Sequence, residues 1–251
     1  MLAKTNSVDR RRAMYITIKK RRLCLLLGAI GTALFAVGDV LLQNFEDSGE
    51  TFLYMIKPSI ADQPMWQLYF VLFTGAVAAP LMWLGLSAMR SHIADSLGGR
   101  RSKMLVCYDI GAVTGSLTFF AAHSVCAVLM MSVKNALECG ITPERMDEVY
   151  GTSFLLSFAV TNIWVTVTEL LLSVAFIYFV FKGIIAVPKA MCVMNTAGTY
   201  IIFHLIGNIL TAATGNGVFK LLAGLGASLG IGLMFIAVCF AHGSSGEGTN
   251  K

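Results

Sequence analysis

Long apolar stretches alternate with short polar ones along this chain. Six stretches, about 23–43, 67–89, 104–131, 153–181, 191–213 and 218–240, are apolar almost throughout. At about 1.5 Å per residue, each reaches at least roughly 30 Å, the thickness of a bilayer's hydrocarbon core. The pattern predicts an all-α fold, a polytopic transmembrane bundle of six helices. A polybasic segment at 1–22 precedes the six-helix domain at 23–240, and a short tail at 241–251 follows it.

Composition agrees with that class. The chain has 251 residues, of which 56% are hydrophobic and only 13% charged. Soluble domains carry about 25% charged residues. The pI near 8.9 invites a nucleic-acid reading, but the charge is sorted by loop instead. Residues 1–22 hold Lys4, Arg10, Arg11, Arg12, Lys19, Lys20, Arg21 and Arg22 against Asp9. The loop at 90–103 has Arg90, Arg100, Arg101 and Lys103, and that at 182–190 has Lys182 and Lys189. The intervening loops at 44–66 and 132–150 are acidic, with Glu46, Asp47, Glu50, Asp62, Glu138, Glu144, Asp147 and Glu148. The positive-inside rule then places both termini in the cytoplasm, in a cytoplasmic-membrane protein, with anionic lipids at the basic N-terminal segment. No Rossmann, P-loop or nucleic-acid motif is present. The six cysteines form no CxxC or metal-ligand spacing and read as small apolar filler.

Local signals add detail. Phe52 to Ile56 is an apolar run too short to span, expected at the outer surface. Thr142-Pro143-Glu144 reads as an N-cap, a first-turn proline and an acid, starting a short helix that Gly151 closes. Pro80 is expected to kink the second helix. Gly28, Thr32 and Ala36, Gly111 and Gly115, and Gly224, Ser228 and Gly232 recur at four-residue spacing. They read as surfaces where helices pack closely, and the sixth helix reads as a packing helix.

Polar residues inside the apolar stretches are the candidate chemistry, because an ionised side chain at the bilayer centre costs about 2.5–3.5 kcal/mol. They are Asp39 on the first helix, Asp109, Ser116 and His123 on the third, Asn162 and Glu169 on the fourth, and Tyr200, His204 and Asn208 on the fifth. Asp109 lies near Lys103 at a helix start and reads as an interfacial cap or ion pair. Asp39, His123, His204 and Asn208 fall at roughly 20–28 Å from the inner ends of their helices, by about 1.5 Å per residue. The expectation is a cavity toward the outer leaflet, lined by Asp39, His123, Asn162, His204 and Asn208, with Glu169 at its floor. Ser116 and Tyr200 lie on the same polar stripes. Asp39, His123 and His204 are candidates to hold zinc or to activate water. The same cavity suits a lipid-like or small amphiphilic ligand or a proton-linked site, and a buried polar network fixing helix register is the structural alternative. Enzyme and non-enzyme readings both stay open.

Overall the chain resembles uncharacterised bacterial families of short polytopic membrane proteins with Gly-Asp-x-Leu near the end of the first helix, here Gly38-Asp39-Val40-Leu41. Gly38 to Leu42 and Phe119-Phe120-Ala121-Ala122-His123 are also similar to the lysoplasmalogenase-like membrane family. That resemblance implies a role for Asp39 in hydrolysing a lysolipid vinyl ether. That family has more helices and a second intramembrane aspartate, for which only Glu169 substitutes here. Ser116, His123 and His204 partly resemble the zinc site of the alkaline-ceramidase superfamily, without its HxxxH pair.

Overall fold

The computed structural model describes residues 7–42 and 58–244. Its six α-helices are α1 (Ser7–Leu42), α2 (Met65–Ser96), α3 (Lys103–Glu138), α4 (Pro143–Phe181), α5 (Thr196–Thr214) and α6 (Leu221–Ser244). Short 3₁₀ turns at Pro58–Ala61, Lys189–Val193 and Gly217–Lys220 lie between them, and no strand occurs among the described residues. Five helices are long and apolar enough to cross a membrane; the apolar part of α6, Leu225–Ala241, is shorter. This is a multi-pass membrane architecture. The run Phe52 to Ile56 lies outside the described residues.

The helices outrun the apolar stretches. α1 begins at Ser7, so the basic flank is helical, and α3 continues to Glu138. The largest correction concerns α4. The expected short helix at 143–151 does not close at Gly151 but runs on as one helix of 39 residues. A mid-helix glycine costs only about 1 kcal/mol. Here Met146 and Phe154, on either side of Gly151, are buried with Ile60, Val133 and Ala136 in a second small core. That burial outweighs the glycine. Thr142 is the extended N-cap and Pro143 follows it, as expected. α5 starts later than expected, because residues 189–193 form a 3₁₀ turn and Asn195 caps the helix, its Oδ1 accepting from the Gly198 N–H at 3.1 Å. Pro80 lies inside continuous α2.

Around the bundle the helices run in the order α4, α3, α2, α1, α6, α5. Small residues set the close approaches. A Cβ on Gly28 would fall 2.6 Å from the Gly85 Cα and 2.8 Å from the Phe235 ring, so α1, α2 and α6 meet through bare backbone. α6 has two such faces. Gly226 and Gly230 lie against α5, where a Cβ would meet the Tyr200 Cα at 2.7 Å and the Thr196 Cα at 2.5 Å. Gly232 lies against Thr32 of α1. The main core is built from Phe35, Met82, Leu86, Tyr108, Phe176, Phe179 and Phe235.

α4 and α5 are tied at one level. Thr196 shares a 2.6 Å hydrogen bond with Ser173 Oγ, and its hydroxyl also lies 3.1 Å from the Glu169 carbonyl. At one end of the bundle Arg21 of α1 is ion-paired with Asp95 of α2. At the other, Lys134 pairs with Glu138 at 2.8 Å and donates to the Ala61 carbonyl. Asp109 is an ion-pair residue as expected, but its partner is Arg90 of α2, which donates to both carboxylate oxygens at 2.7 and 3.0 Å.

Candidate functional site

The polar centre is assembled from four helices. Gly38 and Gly75 have no side chains, and this leaves a slot between α1 and α2. The His123 ring of α3 fills it. A Cβ on Gly38 would fall 3.0 Å from the ring's Cε1 and Nδ1, and one on Gly75 would fall 3.1 Å from the His123 Cβ. Phe35 lies against the same ring at a centroid distance of 4.7 Å, and Phe119 against Phe35 at 5.5 Å. His123 is therefore only 4% exposed.

Two glycines and an aromatic ring thus aim the imidazole. Its Nε2 lies 3.3 Å from Asp39 Oδ1. The second carboxylate oxygen, Oδ2, accepts a 2.8 Å hydrogen bond from Ser228 Oγ of α6. The remaining ring nitrogen, Nδ1, is buried without a hydrogen-bond partner. Asp39 thus bridges a serine and a histidine.

Beside this bridge is a cavity of about 290 Å³. Asp39, His123, Asn162, Glu169 and Ser228 supply its polar lining, and Phe119, Cys126, Met130 and Phe158 much of its apolar wall. Glu169 Oε1 is buried and has no hydrogen-bond partner. Asn162 donates to the Phe158 carbonyl at 2.8 Å and is exposed, so the cavity opens beside it.

Four of the residues singled out from sequence therefore meet: Asp39, His123, Asn162 and Glu169. The others do not join them. Ser116 faces a separate apolar groove of about 460 Å³, lined by Pro80, Trp83 and Phe120 among others. It shares a helical face with His123, but the two lie seven residues apart, about 10 Å along the axis. Tyr200 and His204 stack on each other at a centroid distance of 5.8 Å, and both are exposed, as is Asn208. None of the three lines the cavity. The buried positions of α5, Thr196, Thr199 and Gly207, are those that meet α4 and α6. The polar stripe lies on another flank.

This revises the zinc expectation. Asp39 and His123 are together, but His204 is elsewhere. Among the described residues no group of three or more His, Cys, Asp or Glu is arranged to hold a metal ion. A zinc site needs at least three protein ligands, so the described residues do not fit one.

Ser228 is the principal residue missed. Its position in the small-residue stripe of α6 suggested packing alone. The available signal was that a serine in such a stripe brings a hydroxyl to whatever backbone it approaches.

No curated protein and no solved structure matches the chain. Residues 13–244 match a family of unknown function, DUF6796, and the chain belongs to that family.

Proposed function

We propose that this multi-pass membrane protein is a proton-linked binding or transport protein whose working site is the Asp39 cavity. The carrying observation is that Asp39 and Glu169 line one cavity of about 290 Å³ with a single imidazole, and that Glu169 Oε1 has no partner. Two carboxylates in a low-dielectric space repel when both are charged, so a second charge in the cavity is offset by a retained proton or by a counter-cation. The ionisable groups around the cavity are Asp39 from α1, His123 and Cys126 from α3, and Glu169 from α4. α6 contributes Ser228, and α2 packs on His123 through Gly75, with Thr74 beside Gly38. Infrared difference spectroscopy of the protein in lipid, between acid and alkaline pH, tests this. A protonated-carboxyl band that titrates in the wild type and is altered in Asp39→Asn and Glu169→Gln is expected. No titrating carboxyl band in the wild type overturns the reading.

A second reading, a membrane hydrolase acting on a lipid-like substrate, rests on the Asp39–His123 contact, since a carboxylate that orients an imidazole is the arrangement of a general base. It excludes a serine nucleophile of the usual kind: Ser228 bonds the carboxylate, whereas acylation needs it on the imidazole. Only water activated by the pair remains. Product release from lysolipid vesicles, absent in His123→Ala, would favour it over binding alone.

The orientation we propose puts both termini in the cytoplasm of the inner membrane. The charge of the loops supports it. The Arg21–Asp95 pair groups the basic end of α1 with the basic turn at 97–102. Anionic lipid headgroups are the proposed partners of that end.

A further inference from the structure

The hydrogen-bond inventory of the cavity is lopsided. Ser228 spends its only proton on Asp39. Asn162 turns its amide nitrogen to the Phe158 carbonyl, which leaves its oxygen as an acceptor. His123 Nε2 faces Asp39. What remains open is Glu169 Oε1 and the Asn162 oxygen, both acceptors, beside the Asp39 carboxylate, against one unused amide N–H of Asn162. Among the described residues no lysine or arginine lines the cavity. A ligand that satisfies this set must bring donors and positive charge.

The walls specify the rest. Phe119 and Phe158 face the same space, with Phe154 stacked behind Phe158 at 5.7 Å. Aromatic faces attract cations as well as apolar groups. Met130 supplies a deformable, polarisable surface. A cavity of about 290 Å³ lies at the lower end of small-molecule sites. Its mouth lies beside exposed Asn162.

We infer that the ligand is a small lipophilic organic ammonium ion, held between Asp39 and Glu169 with its apolar part against Phe119 and Phe158. The inference rests on the proton-linked reading of the same cavity and names its ligand class. Each ammonium bound displaces one proton from the carboxyl pair, so the charge of the cavity does not change.

The test uses the full chain purified in detergent and three probes of one shape: 2-phenylethylammonium, the neutral 2-phenylethanol and the anionic 3-phenylpropionate. Binding is followed by titration calorimetry in buffers of different ionisation heat, which counts the protons released. Saturable binding of the ammonium is expected, with about one proton released per ligand. At least tenfold weaker binding of the alcohol and none of the anion should accompany it. Glu169→Gln should lose at least tenfold in ammonium affinity while keeping a monodisperse gel-filtration profile. If Glu169→Gln fails to fold, Phe158→Leu provides the second variant, and it should weaken the ammonium more than the alcohol. Equal binding of alcohol and ammonium overturns the cation assignment, as does no binding of the ammonium. Either result leaves the proton-linked reading standing if the carboxyl band still titrates. A cavity without a titrating carboxyl removes that reading itself.

Discussion

Asp39 joins three helices through one hydrogen bond and one 3.3 Å ring contact, and each can be cut separately. Ser228→Ala removes the donor to Oδ2 and leaves the ring contact untouched. Interhelical hydrogen bonds in membranes contribute roughly 0.6 kcal/mol and at most about 1.7, so thermal unfolding in detergent should register a small loss. His123→Ala removes the ring that fills the slot between Gly38 and Gly75, at a cost of about 3–5 kcal/mol, as for other buried rings. His123→Phe separates packing from chemistry. It should recover most of that stability against Phe35 while leaving Asp39 Oδ1 without an imidazole. Full recovery of both stability and carboxyl titration in His123→Phe would show that the imidazole nitrogens have no part in the site.

Helix packing sets a second group of outcomes, because the close approaches differ in what a new methyl group would strike. On Gly75 it would fall 3.1 Å from the His123 Cβ, a contact relieved by a shift of a few tenths of an ångström. On Gly230 it would fall 2.5 Å from the Thr196 Cα, which is backbone and cannot turn away. Overpacking costs about 1–3 kcal/mol, and Gly230→Ala should lie at the upper end and Gly75→Ala at the lower. Melting temperatures of the two variants check the order. Gly75→Ala should also disturb ammonium binding, since it moves the imidazole, whereas Gly230→Ala should act through the α5–α6 contact. In the α3–α4 hairpin, Lys134→Met would leave the Ala61 carbonyl without its donor. An unpaired buried group costs about 1–3 kcal/mol, and the loss should appear as faster proteolysis near residue 61.

For the molecule as a whole, topology makes the sharpest statement. Cys139 is exposed in the turn between α3 and α4. Arg100 is exposed in the turn between α2 and α3, at the other end of the 36-residue α3. In intact cells a membrane-impermeant maleimide should label Cys139. A cysteine from Arg100→Cys, in a background where Cys139 is serine, should be labelled only after the membrane is opened. The reverse pattern inverts the proposed orientation, and labelling of both from outside removes α3 as a span.

The sequence alone determined the all-helical class, roughly where the long apolar helices lie, and four of the residues that line the cavity. The reason is that lipid imposes one severe rule: long apolar helices, with ionisable groups turned inward. Asp39, His123, Asn162 and Glu169 were legible because each breaks that rule. Where the helices end was less legible, since outside the bilayer the rule lapses and ordinary packing decides. The burial of Met146 and Phe154 carries α4 straight through Gly151. Which polar residues meet was decided only by the tertiary structure. Helical depth placed His204 level with Asp39, but its azimuth depends on how α5 leans on α6 through Gly226 and Gly230, and that contact turns His204 to the exposed flank. The same contact geometry brought Ser228 to Asp39, from a stripe that read as packing alone.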